Sequence, residues 1–129
     1  MSNPSDTAGS VDRTRLLGRD YWLVNWLPGE ATTAADIQTH LDDHLRWLLQ
    51  LEQTGVLVMS GPLVDGPRVA PGSGITVLRS ETEQEARTIA GADPFVHQGL
   101  RTFELLRWRI NEGSITVHLS LGTGTYQWL

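Results

Sequence analysis

Apolar residues recur along the chain with two different periods, and the changes of period mark the elements. Residues 20–27 (DYWLVNWL) alternate, with Trp22, Val24 and Trp26 on one face and Tyr21, Leu23 and Leu27 on the other. That pattern predicts a strand covered on both sides and stopped by Pro28-Gly29. Across Thr33–Thr54 the period lengthens. At about 100° per residue, Ile37, Leu41, Leu48 and Leu51 fall within about 40° of one direction. Asp42, Asp43, Arg46 and Gln50 lie away from that stripe, as on an amphipathic helix, and Gly55 ends it. Val56–Ser60 (VLVMS) reads as a second strand broken by Gly61-Pro62. Leu63–Ser73, with Gly66, Pro67, Pro71 and Gly72, reads as a long loop.

Gly74–Arg79 is a third strand. Ser80 followed by Glu83 has capping-box spacing and opens a second helix with Ala86, Ile89 and Ala90 inward, closed by Gly91. Asp93-Pro94-Phe95 follows as a turn, because a residue before proline is pushed out of helical space. Thr102–Ile110 is a fourth strand, with Leu106, Trp108 and Ile110 on one side. Asn111-Glu112-Gly113 is a hairpin signal, and Ser114–Leu121 a fifth strand paired to the fourth, with Tyr126 and Trp128 beyond it. The order β-α-β-β-α-β predicts a ferredoxin-like α+β fold, an antiparallel sheet with both helices on one face and an extra C-terminal strand. The other face, carrying large apolar side chains, needs a partner chain. A homodimer burying roughly 2,000 Å² or more is expected. Residues 1–19 have almost no apolar content and read as a mobile tail, leaving 20–129 as a single domain.

Composition agrees with one small globular domain: 129 residues, 40 % hydrophobic and 19 % charged. No run approaches the ~18 apolar residues of a membrane span and the first twenty residues lack an apolar leader, so a cytoplasmic protein is expected. Ten cations face fifteen anions, a net charge of −5. Such a chain is repelled by phosphate backbones, and nucleic acid is not an expected partner. The chain has no cysteine, which excludes disulfides, thiolate metal sites and a cysteine nucleophile. All ten cations are arginine, which excludes Schiff-base chemistry and a phosphate-loop lysine.

His44 breaks the helical pattern, about 20° from Ile37 at the centre of the apolar stripe. A histidine aimed into a core is either satisfied by a backbone carbonyl or held as a general acid or base in a cleft. His40, one turn earlier, forms an i, i+4 pair with it. The intervening Leu-Asp-Asp lacks the glutamate placement of a zinc-protease helix, so no metal and no cofactor are expected. Asp93 is either an Asx cap on the following backbone or the carboxylate that fixes the tautomer of His44. Ser60 either caps the Gly61-Pro62 turn or hydrogen-bonds a ligand. No Gly-x-Ser-x-Gly elbow marks it as a nucleophile. Arg107 or Arg109 is a candidate anchor for an anionic substrate, and His97 and His118 read as exposed or rim residues.

Taken in order, these segments resemble the YCII-related family of the dimeric α+β barrel superfamily. The resemblance rests on His44 with HLRWLLQLEQTG, on LVMSGPL (Leu57–Leu63), on GITVLRSETEQEA (Gly74–Ala86), on ADPFVHQGL (Ala92–Leu100) and on the FELLRW strand. It covers residues 20–110. The resemblance implies a ferredoxin-like protomer whose sheet packs on a second protomer, and a catalytic dyad of His44 and Asp93. Characterised relatives include a dehydrochlorinase acting on a chlorinated hydroxyhydroquinone, and muconolactone isomerases share the wider fold. The expected function is therefore proton transfer on a small cyclic or enolisable substrate, an elimination, isomerisation or hydrolysis without a cofactor. Ser60, Gly61, Pro62, Phe95 and His40 are the candidate substrate contacts. The alternative is a non-catalytic ligand-binding or accessory protein of the same fold. The long N-terminal stretch and the Ser114–Leu121 strand depart from the family pattern.

Overall fold

Alternation in the first apolar run is realised as β1, Arg19–Pro28, whose Trp22, Val24 and Trp26 are buried while Tyr21, Leu23 and Asn25 are half-buried. The structure, a computed structural model, describes residues 9–122 and 125–128, the latter and residues 118–120 by their backbone alone. The expectations for residues 1–8 and for the side chains of His118, Tyr126 and Trp128 lie outside the described residues. Two compact units are present, Asp20–Arg109, and Met1–Arg19 with Ile110–Leu129.

In the larger unit, β1 is followed by α1 (Ala34–Gln53), β2 (Leu57–Pro62), β3 (Gly74–Leu78), α2 (Glu83–Gly91), α3 (Pro94–His97) and β4 (Arg101–Ile110). The sheet order is β2-β3-β1-β4, the ferredoxin-like arrangement, with β3 antiparallel to both neighbours. Register places Trp22 opposite Leu78, Val24 opposite Thr76 and Trp26 opposite Gly74, so these six share one face. On that face Trp22, Val24, Trp26 and Leu78 pack with Ala86 and Ala90 of α2. Trp47 and Leu51 of α1 and Phe103 and Leu105 of β4 close the core around them. Trp26 meets Trp47 edge to face at 6.2 Å and Phe103 at 5.9 Å, the geometry that aromatic quadrupoles favour.

α1 starts with a capping box. Thr33 Oγ1 accepts from the Asp36 N–H, and the Asp36 carboxylate accepts from the Thr33 N–H. Three boundaries differ from the sequence expectation. The second strand ends at Pro62 and not at Ser60, so Gly61-Pro62 is its last pair, tolerated because β2 is a sheet edge where a proline costs no ladder bond. α2 is capped by Thr82, which accepts from the Glu85 N–H, and not by Ser80, whose hydroxyl donates to the Thr82 carbonyl. Asp93-Pro94-Phe95 is not a bare turn: Asp93 is the N-cap of α3 and Pro94 takes its first position, where the missing N–H is harmless.

In the second unit, Asp12 accepts from the Thr14 N–H to cap a 3-10 turn at Arg13–Arg15, and the Leu17 N–H donates to the Asn111 carbonyl. β5 (Val117–Ser120) pairs antiparallel with β6 (Thr125–Trp128) in a two-stranded sheet, and not with β4 as the Asn111-Glu112-Gly113 signal suggested. Hairpin connections are normally two to five residues long, and 111–116 is a longer, irregular stretch.

Candidate active site

α1 delivers His44 to the sheet from the middle of its apolar stripe, and the ring is nearly buried there. The end of α2 delivers Asp93, whose backbone conformation is fixed by the following proline and whose side chain makes no capping bond. The carboxylate is therefore free for tertiary partners, and both oxygens are taken. Asp93 Oδ1 lies 2.7 Å from His44 Nδ1, and Oδ2 accepts from Arg101 Nε–H at 2.9 Å. A carboxylate only accepts, so His44 carries a proton on Nδ1 and Nε2 is the ring nitrogen left for other partners. Among the described residues Nε2 makes no hydrogen bond.

Arg101 completes the cluster, and sequence reasoning missed it. Its side chain is 5 % exposed and that of Asp93 is fully buried. Nη1 donates to the Gly72 carbonyl at 2.9 Å, and the guanidinium lies 3.8 Å from the centroid of Trp26 and 4.8 Å from that of Phe95. Nη2 is a buried donor with no partner among the described residues. Burial pushes the guanidinium below its ordinary pKa, and Asp93 pulls it back up by charge and by hydrogen bond. The available signal was strand alternation: Arg101 has the parity of Phe103 and Leu105, which face the core. Arg107 and Arg109, the expected anion anchors, are engaged with Asp20 instead. Arg109 donates twice to that carboxylate, at 2.6 and 3.0 Å, and Arg107 lies 3.5 Å from it and over the Trp22 ring.

The cluster opens on a cleft of about 440 Å³, the size that takes a small ring compound. Ile37, Leu41, Leu45 and Leu48 form its helix wall, Trp26, Phe95 and Arg101 its floor, and Ser60, Gly61, Pro62 and residues 70–74 the opposite wall. His44 stacks on Phe95 at 4.5 Å and 20°, which holds the imidazole plane. Of the expected contacts, the structure brings His44, Ser60, Gly61, Pro62 and Phe95 to the cleft, with Asp93 behind His44. His40, half-buried on α1, is not among the lining residues. His97 is exposed at the end of α3. No group of three or more His, Asp and Glu side chains converges on one point among the described residues.

Two glycines shape the far wall. Gly72 has φ +92°, and a Cβ there would lie 3.1 Å from the Ile37 methyl. At Gly74 a Cβ would lie 2.6 Å from the Gly61 carbonyl oxygen, so the β2–β3 pairing that carries Ser60 requires glycine.

A ferredoxin-like sheet with a ligand-sized cleft between its first helix and its second and third strands defines a small α+β domain class. Within that class the chain belongs to the YCII-related domain family, which matches residues 24–109. Among solved structures it is similar to the 5-chloro-2-hydroxyhydroquinone dehydrochlorinase of Burkholderia phenoliruptrix, determined in complex with 2,5-dihydroxybenzoquinone. The two are 17 % identical with a TM-score of 0.57, over 68 % of this chain and 92 % of that one. No curated protein sequence matches the chain. No helix among the described residues is long and apolar enough to cross a membrane.

Proposed function

We propose that the cleft is the active site of a small-molecule enzyme that moves a proton, with His44 as the transferring group and Asp93 as its orienting partner. The observation that carries this reading is the 2.7 Å contact between His44 Nδ1 and a fully buried Asp93, backed by Arg101 at 2.9 Å. Asp93 holds the imidazole in the tautomer whose Nε2 accepts a proton, and it stabilises the imidazolium that results. Arg101 balances the Asp93 charge and holds the carboxylate from behind. The apolar walls keep water from competing for the proton, and Ser60 faces the ligand from the sheet side.

The reaction class is elimination, isomerisation or hydrolysis of a small cyclic or enolisable compound. Similarity to a dehydrochlorinase favours elimination. There, Nε2 removes a proton next to an activating oxygen, the electron pair forms the new double bond, and the halide departs. Phe95 supports the His44 ring by stacking, and Gly61 and Pro62 complete the wall beside Ser60. We also infer a homodimer, because the sheet face opposite the helices exposes Leu27, Met59, Ile75, Leu106 and Trp108.

The test is halide release and absorbance change on a panel of chlorinated hydroxyhydroquinones and lactones, with wild type and His44→Ala. Turnover that falls about 10²–10⁴-fold in the variant is expected. Saturable binding without turnover by either protein replaces the enzyme with the ligand-binding alternative.

A further inference from the structure

A second feature of the cleft lies in its sheet wall. β2–β3 register sets Ser60 directly opposite Thr76 on the helix-facing side of the sheet, and their hydroxyl oxygens lie 2.7 Å apart. Trp26, on β1 beside Thr76, donates its indole N–H to Thr76 Oγ1 at 2.9 Å. An indole nitrogen only donates, so this bond runs in one direction and occupies a Thr76 lone pair. Thr76 is fully buried, without access to bulk water. Its single hydroxyl hydrogen must still find an acceptor. Among the described residues, the acceptor in reach is Ser60 Oγ. The opposite arrangement, Ser60 donating to Thr76, leaves a buried hydroxyl hydrogen unpaired, which native interiors avoid.

We infer that Trp26 and Thr76 form a one-way hydrogen-bond relay that fixes Ser60 as a donor into the cleft. The cleft is thereby set for a ligand that places an acceptor oxygen, a carbonyl or an ionised hydroxyl, against Ser60. Ser60 is exposed and lines the cleft, so the hydrogen left free by the relay is available to an occupant. Each bond polarises the next, and Ser60 donates more strongly than an isolated serine. Ser60 Oγ keeps a second lone pair for a donor group, and the relay's contribution is to leave its hydrogen free for an acceptor. Thr76, which touches no ligand, is a positioning residue and Ser60 the contact. The ligand class rests on reading the cleft as the ligand site; the direction of the relay does not.

Two measurements test the inference separately from the function. A neutron structure of the free protein reads the relay directly. Deuterium on Thr76 Oγ1 directed at Ser60 is expected, and deuterium on Ser60 directed at Thr76 overturns it. For the ligand class the probe is 2,5-dihydroxybenzoquinone, which carries only carbonyl and hydroxyl oxygens, titrated calorimetrically at neutral pH. Ser60→Ala and Thr76→Val should each weaken binding about tenfold, the worth of one hydrogen bond to a charged group. The double variant should lose no more than either single one, and Thr76→Ser should restore affinity. Wild-type affinity in Thr76→Val, or a double variant that loses the product of both effects, overturns the positioning role. Undiminished affinity in Ser60→Ala alongside loss in His44→Ala overturns the Ser60 contact while leaving the site reading intact. A wild type that does not bind the probe, with the neutron direction as expected, removes the ligand class and keeps the relay.

Discussion

Replacing Asp93 with asparagine keeps the shape of the side chain and removes the charge that two buried groups depend on. Arg101, 5 % exposed, loses its counter-ion, and breaking a buried pair from one side typically costs about 3–5 kcal/mol. The second effect falls on the imidazole tautomer: an amide whose oxygen stays on Arg101 turns its NH₂ toward His44 Nδ1. Nδ1 must then accept, the ring proton moves to Nε2, and the proposed base is lost. Asp93→Asn should therefore lower the urea midpoint and also reduce turnover about 10²–10⁴-fold in the protein that remains folded. A variant with wild-type stability and turnover would show the cluster to be idle. At this scale the sequence disclosed His44, because a polar residue at the centre of an apolar stripe violates the pattern. It left Asp93 divided between a cap and a partner, since both uses suit Asp before Pro. It hid Arg101, because an arginine at the start of a strand ordinarily marks the surface and only a long-range carboxylate makes its burial tolerable.

Elements were legible where a pattern was long. The twenty residues of α1 carry over five turns of periodicity, and the structure begins and ends it within a residue of the expected bounds. Short elements were settled by neighbours instead. β2 extends over Gly61 to Pro62 because it lies at the sheet edge, a position that follows from the whole ferredoxin-like order and not from the local Gly-Pro signal. The same pairing predicts that Gly74→Ala, whose methyl would meet the Gly61 carbonyl at 2.6 Å, forces β2 away from β3. A destabilisation of about 1–3 kcal/mol is expected, with weaker ligand binding because Ser60 moves with β2. Equal urea midpoints for variant and wild type would contradict the close approach. A second element-scale prediction concerns β1 and β4. Arg109, by hydrogen bond and charge, holds the Asp20 carboxyl below its ordinary pKa. A carboxyl lowered on folding adds stability that is present above its unfolded pKa, near 3.9, and is lost as pH falls through the folded value. Asp20→Asn should thus be less stable than wild type at pH 7, and the two stability curves should converge below about pH 4. A difference that persists unchanged at pH 2 would assign the effect to packing.

At the scale of the whole molecule, the sequence placed more large apolar side chains on the strands than one layer of helices can cover, and the sheet shows where the excess goes. Trp22, Val24 and Trp26 turn toward the helices, while Leu27, Met59, Ile75, Leu106 and Trp108 remain 37–51 % exposed on the other side. That face also carries Asn25, whose amide donates to Glu104 at 3.0 Å, so these two polar groups are already paired within the sheet. One neutral hydrogen bond does not offset the desolvation of the Glu104 carboxylate if a second surface closes over it. That cost is set against the gain of about 25 cal/mol per Å² when the apolar side chains are removed from water. Two copies meeting through this face about a two-fold axis bury the same patch twice, which is how an isologous interface grows from one surface. The proposed dimer should show twice the 14.3 kDa chain mass by light scattering at micromolar concentration. Charges introduced at Leu106 and Trp108 test the face without touching the cleft, since neither residue lines it. Leu106→Glu with Trp108→Glu should give a folded protein of single-chain mass. A wild type that is itself monomeric, or a double variant that keeps the doubled mass, would place the contact elsewhere or remove it.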